Sequence, residues 1–151
     1  MKIWIDADAC PNAVKDIIFK AAERRQVHTC VVANRDIRVP ASQFISKIIV
    51  GAGLDVADAT IVEKAEPGDL VITADIPLAA FIVEKGAVGI DPRGELYSEQ
   101  NVRERLSVRN WMQEMRGGGL IQGGPATMNN TDTQKFADTF DRTLTKLLKA
   151  K

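Results

Sequence analysis

Cysteine, histidine and aromatic residues are scarce in this chain: 151 residues carry two cysteines and one histidine, and aromatic side chains make up 5%. Two thiols, Cys10 and Cys30, are too few for a disulfide framework or a thiolate zinc site and suit a reducing compartment. An excess of charge of one sign is missing as well. The 20 Lys and Arg residues balance 20 Asp and Glu, which argues against a protein that holds nucleic acid mainly through a basic field. Any nucleic-acid role must then be local. No apolar run approaches the roughly 18–20 residues of a membrane span, and Met1-Lys2-Ile3-Trp4-Ile5-Asp6 passes straight into a strand-like segment without the apolar core of a signal peptide. The expectation is a cytoplasmic protein with no membrane partner. What the chain does have is 45% hydrophobic and 26% charged residues, the make-up of a soluble domain long enough to bury a core.

The pattern along the chain alternates. Lys2–Asp6 is short and apolar, and Pro11 then opens a segment with Val14, Ile17, Ile18, Ala21 and Ala22 at helical spacing. His28–Ala33 and Lys47–Ala52 read as strands, a helix follows from about Val56 to Ala65, and Pro67-Gly68 separates it from the apolar run Leu70–Thr73. A helix from Pro77 to Lys85 stops at Gly86 and hands over to Ala87–Ile90, closed by Asp91-Pro92. Strands alternating with helices predict an α/β fold: an open three-layer sandwich around a five-stranded, mainly parallel sheet covered on both faces. Beyond Asp91 the pattern is helical. Ser98 caps a helix to about Met115, a glycine-rich loop spans 117–125, and Thr131 with Gln134 forms a capping box ahead of the stripe Phe136, Phe140, Leu144, Leu147, Leu148. With no linker or repeat, the expectation is one domain over 1–151.

The aspartates carry the functional signal. Asp6 and Asp8 close the first strand, Asp75 the fourth and Asp91 the fifth. In open parallel sheets the ligand crevice lies outside the carboxyl ends of the strands, where strand order reverses. Should the first and fourth strands be neighbours there, Asp6, Asp8 and Asp75 converge, and Asp55 or Asp58 approaches from the helix after the third. Clustered carboxylates repel unless a cation neutralises them. All-oxygen ligands without Cys or His favour Mg²⁺ or Mn²⁺, which need only one or two carboxylates plus waters and substrate phosphate. Asp is also a common helix cap and turn residue, so Asp75 before Pro77, or Asp91 before Pro92, has a purely structural explanation too. Asp6 has few structural uses, because a carboxylate continuing a buried strand is costly if unpaired.

Read in order, Ile-Asp6-Ala-Asp8-Ala-Cys10-Pro11, Leu-Asp55-Val-Ala-Asp58, Leu-Val-Ile-Thr73-Ala-Asp75-Ile-Pro77-Leu-Ala79, Asp91-Pro-Arg93-Gly94 and Gly123-Gly124-Pro125 resemble the YaiI/YqxD family of bacterial proteins over nearly the whole chain. That family looks like a branch of the PIN-like nuclease superfamily. The resemblance implies a parallel sheet in the order 3-2-1-4-5 and an acidic, metal-binding site at its carboxyl edge. It matches Asp6 to the acid of the first strand, Asp75 to the acid of the Thr-x-Asp motif after the fourth, and Asp58, or else Asp55, to the acid on the intervening helix. A fold alone does not fix a reaction.

Other residues have weaker claims. Asn34 and Arg35 follow the second strand at the crevice edge and are candidates for touching substrate, as is Arg93; a polar turn explains the first two equally well. Arg105, Arg109 and Arg116 share one side of a helical wheel and either face phosphates or form a solvated row. The glycine loop after Arg116 either reverses the chain or closes over a substrate. Cys10 reads as a buried structural thiol, His28 has no partner pattern, and Trp4 and Trp111 read as packing residues.

The leading expectation is a metal-dependent phosphodiesterase acting on RNA or single-stranded nucleic acid. Asp6, Asp58 and Asp75 would position Mg²⁺ or Mn²⁺, with Asp8 as a further ligand or an orienter. A haloacid-dehalogenase-like phosphatase is the alternative, with Asp6 as nucleophile and Asp8 as proton donor; the usual Gly-Thr after the second Asp is replaced by Ala9-Cys10-Pro11. A non-catalytic module binding nucleotide or RNA at the same edge is the third.

Overall fold

The computed structural model describes residues 1–51, 56–107 and 128–150. Five strands form one parallel sheet: β1 (Ile3–Asp6), β2 (Thr29–Ala33), β3 (Ile45–Ile49), β4 (Leu70–Ile72) and β5 (Val88–Ile90). Their order is β3-β2-β1-β4-β5, the 3-2-1-4-5 arrangement, so the chain reverses direction of travel between β1 and β4. The helices are α1 (Asn12–Arg25), α2 (Val56–Lys64), α3 (Ile76–Lys85), α4, described over 99–107, and α5 (Asn130–Lys149), with a short 3-10 turn at Ala7–Ala9.

Side-chain alternation along the strands builds the three layers, because successive residues point to opposite faces. Ile3 and Ile5 of β1, Val31 of β2, and Leu70 and Ile72 of β4 pack with Val14, Ile18 and Ala22 of α1 and with Phe136, Phe140 and Leu144 of α5. Trp4, Cys30, Val32 and Val71 point the other way, onto Ala57 and Ile61 of α2 and Leu78 and Ile82 of α3. The central strands β1 and β2 are buried throughout, which is why they read as continuous apolar runs. Edge strand β3 buries only Ile45 fully and begins two residues before the segment expected from sequence.

The last helix starts differently from its expected capping box. Asn129, not Thr131, is the cap: its side chain accepts from the Asp132 backbone N–H at 3.0 Å while Asp132 accepts from the Asn129 N–H at 3.2 Å. Asp132 is also reached by the Arg93 guanidinium at 3.1 Å, so the two-residue shift places the box carboxylate against a cation in the loop after β5. The expected glycine loop at 117–125, the helix end near Met115, Trp111, Arg109, Arg116 and Asp55 lie outside the described residues. Among the described residues, no helix is long and apolar enough to cross a membrane.

Candidate functional site

Near the carboxyl edge of the sheet stand Asp6 and Asp8 at the end of β1, Asp58 in α2, Asp75 after β4 and Asp91 after β5. By strand parity Asp6 shares the direction of Trp4, toward the α2 and α3 layer. Asp6 is 4% exposed, and its carboxylate accepts a hydrogen bond from the Thr73 hydroxyl at 2.8 Å. The Thr73 hydroxyl oxygen in turn accepts from the Asp75 backbone N–H at 3.0 Å. Asp75 caps α3, accepting from the Leu78 N–H at 2.9 Å, with Pro77 in the first turn. The structural reading of Asp75 as a cap therefore holds, and it coexists with a position beside Asp6. Asp8 sits exposed on the 3-10 turn that follows β1.

Burial is the largest influence on Asp6 and pushes its pKa above the usual carboxylate value; the negative charges of Asp8 and Asp75 push it further in the same direction. Hydrogen bonds from Thr73 and from the Asp8 backbone act against this but do not cancel it. Asp58 lies half-buried in the first turn of α2, and parallel β3 delivers that turn to the same edge. The acids that act electrostatically on Asp6 are Asp8 and Asp75. The Thr73 hydroxyl, linking Asp6 to Asp75, has a role that the sequence signals only by a Thr placed directly after a buried strand.

The other candidates fall out differently. Asp91 is buried and structural: it accepts from the Arg93 N–H at 2.6 Å and from Arg105 at 3.0 Å. Arg105, expected to meet phosphate or water, instead bridges Asp91 and Glu95 and lies over the Tyr97 ring, 5.3 Å from its centroid. Burial drives the Tyr97 phenol upward in pKa, and its hydroxyl donates to the Thr73 carbonyl at 2.9 Å. Arg93 points at α5 through Asp132. Asn34 and Arg35 are exposed just past β2. Cys10 is buried as expected, and burial pushes its pKa up to about 12, so helix-end stabilisation of a thiolate does not prevail. Asp69 carries no motif in the sequence. At the opposite, amino edge it accepts from the Trp4 indole at 3.1 Å and from the Lys2 and Glu66 N–H groups at 3.0 Å each, a structural anchor for β1.

Among the described residues, no three Asp, Glu, His or Cys side chains are grouped as a ready metal cage. The Asp6, Asp8 and Asp75 set instead suits an ion that keeps most of its waters: oxygen donors only, no thiolate or imidazole, and mutual repulsion that a cation would relieve.

Comparison with known proteins places the chain. A family model described as "Uncharacterized BCR, YaiI/YqxD family" matches residues 4–146. The UPF0178 protein of Geobacter metallireducens is 56% identical over 149 residues, covering 99% of this chain and 96% of the relative. The UPF0178 protein of Citrifermentans bemidjiense is 59% identical, with 99% and 97% covered, and that of Myxococcus xanthus 56% identical, with the same shares covered. No solved structure matches the chain significantly. With its buried Asp6, its Thr73-x-Asp75 turn and this match along almost its whole length, the chain belongs to the YaiI/YqxD family.

Proposed function

We propose that this protein is a metal-dependent phosphodiesterase with a PIN-like fold, acting on RNA or single-stranded nucleic acid at the carboxyl edge of the sheet. The observation that carries this reading is Asp6: a buried carboxylate at the end of the central strand, raised in pKa by burial and by two neighbouring acids. A buried structural carboxylate is ordinarily paired with a cation, as Asp91 is with Arg105, or held by several N–H donors, as Asp69 is. Asp6 is held instead by the Thr73 hydroxyl, which fixes its rotamer, and among the described residues no cation pairs with it. Asp6 and Asp75 would hold Mg²⁺ or Mn²⁺, with Asp58 and Asp8 completing or orienting the set. The chemistry such an ion supplies is activation of water and neutralisation of charge on the scissile phosphate.

Thr73 and Asp75 do separate work. Thr73 orients Asp6, and the capping bond to Leu78 fixes the Asp75 carboxylate on a rigid helix start. Pre-positioning of this kind is what lets a site act without reorganising. The phosphatase alternative has weaker support, because the Gly-Thr that usually follows the second Asp of such enzymes is replaced here by Ala9-Cys10-Pro11.

The test is cleavage of a fluorescent single-stranded RNA with Mn²⁺ or Mg²⁺, comparing wild type with Asp6→Asn and Asp75→Asn. Either variant should lose at least about a hundredfold in rate, the scale set by removing a principal electrostatic contributor. Asn preserves the acceptor for Thr73 and the cap of α3, so a loss reports charge, not misfolding. Equal cleavage by wild type and both variants, or a phosphorylated Asp6 trapped by acid quench, refutes the proposal. RNA binding that is metal-independent and never leads to turnover would point to the non-catalytic module.

A further inference from the structure

A second feature opens at the same edge of the sheet. Between the first half of α1 and the loop that follows β2 lies a cleft of about 770 Å³, within the usual size range of ligand clefts. It shares the loop residues 36–40 with a second hollow of about 510 Å³. Phe19, Ile37 and Val39 supply apolar surface, while Lys15, Arg35 and Arg38 supply positive charge. The lining acids are Asp16 and Asp36. Asp36 is already spoken for: Lys47 of β3 pairs with it at 2.6 Å and also donates to the Ile37 carbonyl at 2.9 Å. That double contact pins the loop to the sheet and leaves three cations facing Asp16 alone.

Arg35 and Arg38 are exposed, and among the described residues no ion pair or hydrogen bond engages their side chains. Cations spread along an apolar floor suit a chain that alternates charged and apolar groups. A nucleic-acid strand has that form, with phosphates for the guanidinium and ammonium groups and sugar or base faces for the floor. In a chain with no net charge, such a local surplus is where an anionic polymer would be held. The cleft lies on the α1 face of the sheet, whereas Asp6 points to the α2 and α3 face. A strand held in it therefore reaches the acids by crossing the carboxyl edge, where the 3-10 turn bearing Asp8 leads directly into α1 and Val32, next to the end of β2, is in register with Asp6.

We propose that the cleft between α1 and the 34–40 loop binds the phosphate backbone of a single-stranded nucleic acid through Lys15, Arg35 and Arg38, feeding the strand toward the acids. This inference rests on the nuclease reading for its substrate class. It differs from that reading in locating affinity on α1 and the loop and chemistry at Asp6 and Asp75.

The experiment is fluorescence anisotropy of a labelled oligouridylate in EDTA, so that binding is measured without cleavage. Wild-type affinity should fall with salt at a log–log slope of about −2, the value for three phosphate contacts on a single strand. The double variant Lys15→Glu, Arg38→Glu should weaken binding at least about tenfold and shrink that slope by about one or more. Arg38→Glu alone, at an exposed position, should show part of the loss and guards against a folding defect from half-buried Lys15. Lys64→Glu, at the far end of α2, should bind as wild type. Failure of wild type to bind, equal binding by wild type and the double variant, or a loss shared by Lys64→Glu overturns the cleft. Competition by uridine monophosphate as strong as that by the oligomer would also overturn it, since the site would then hold a mononucleotide. The two readings separate cleanly. Metal-dependent cleavage that ignores Lys15→Glu, Arg38→Glu keeps the acids and removes the cleft, while cleft-dependent binding without cleavage does the reverse.

Discussion

Replacing Asp6 with Asn is expected to stabilise the metal-free protein at neutral pH, and the double change Asp6→Asn, Asp75→Asn to abolish its stabilisation by Mn²⁺. The first effect follows from linkage. The folded state holds the Asp6 proton more tightly than the unfolded chain does, because burial and the charges of Asp8 and Asp75 raise its pKa. Asp6 therefore favours folding most fully below the ordinary carboxylate value of 3.8, and that contribution is lost as pH rises through its higher folded value. Asn does not titrate and keeps an acceptor for Thr73. The variant's advantage should thus grow with pH across that window and level off above it. A gain on the order of 1–3 kcal/mol is the scale of relieving a poorly compensated buried polar group, and each kcal/mol should appear as roughly 2–4 °C in melting temperature. The second effect is of comparable size. An ion that binds only the folded state at about 100 times its Kd stabilises by about 2.7 kcal/mol, equivalent to roughly 5–10 °C in the wild type. Thermal melts over pH 4–8 with and without Mn²⁺ check both parts. Equal metal response in wild type and the double variant, or a wild type more stable than Asp6→Asn at pH 7 without metal, would contradict the electrostatic account of the edge.

The sheet was legible in the sequence because β1, β2 and β4 are buried on both faces, so their apolar runs have no competing explanation. Edge strand β3 starts two residues before its apolar run for the opposite reason: its exposed Ser46, Lys47 and Ile49 carry no pattern, and its register is set by pairing Thr29 with Ile45. The convergence of Asp6 and Asp75 was also accessible, since it requires only that β1 and β4 be neighbours, and they pair over Ile3–Ile5. Long-range pairings between side chains were not. Arg105 meets Asp91 and Glu95 across a turn that sequence spacing does not encode, and Asn129 prevails over Thr131 as a cap where Asp132 can also meet Arg93. Cationic residues such as Lys15 and Arg38 carry no local motif at all, and only the folded loop sets them beside α1.

The largest loss of stability from a single small change is expected at Gly94. Its φ is +94°, and a Cβ there would lie 2.7 Å from both the Lys135 carbonyl carbon and the Phe136 nitrogen, which are backbone atoms inside α5. No rotamer change relieves such a contact, so Gly94→Ala must lift α5 from the loop or bend the loop itself. The loop carries much of the docking of that helix: Thr139 donates to the Gly94 carbonyl at 2.7 Å, and Arg93 pairs with Asp132. Gly68→Ala is the matched control, because Gly68 has a similar φ of +88° but nothing within 4 Å of its Cβ position. That control should cost only about 1 kcal/mol, the penalty of a left-handed conformation. Gly94→Ala should cost on the order of 3–5 kcal/mol, a large share of the 5–15 kcal/mol typical of a native domain, or about 6–20 °C in melting temperature. The consequence reaches the acids. The same loop runs on to Tyr97, whose hydroxyl holds the Thr73 carbonyl, and Thr73 holds Asp6. Gly94→Ala should therefore also weaken the Mn²⁺ response in whatever fraction remains folded, whereas Gly68→Ala should leave it intact. Denaturant melts of the two variants, followed by Mn²⁺ titration below the midpoint, measure both effects, and equal costs for the two substitutions would show that the backbone contact at α5 carries no weight.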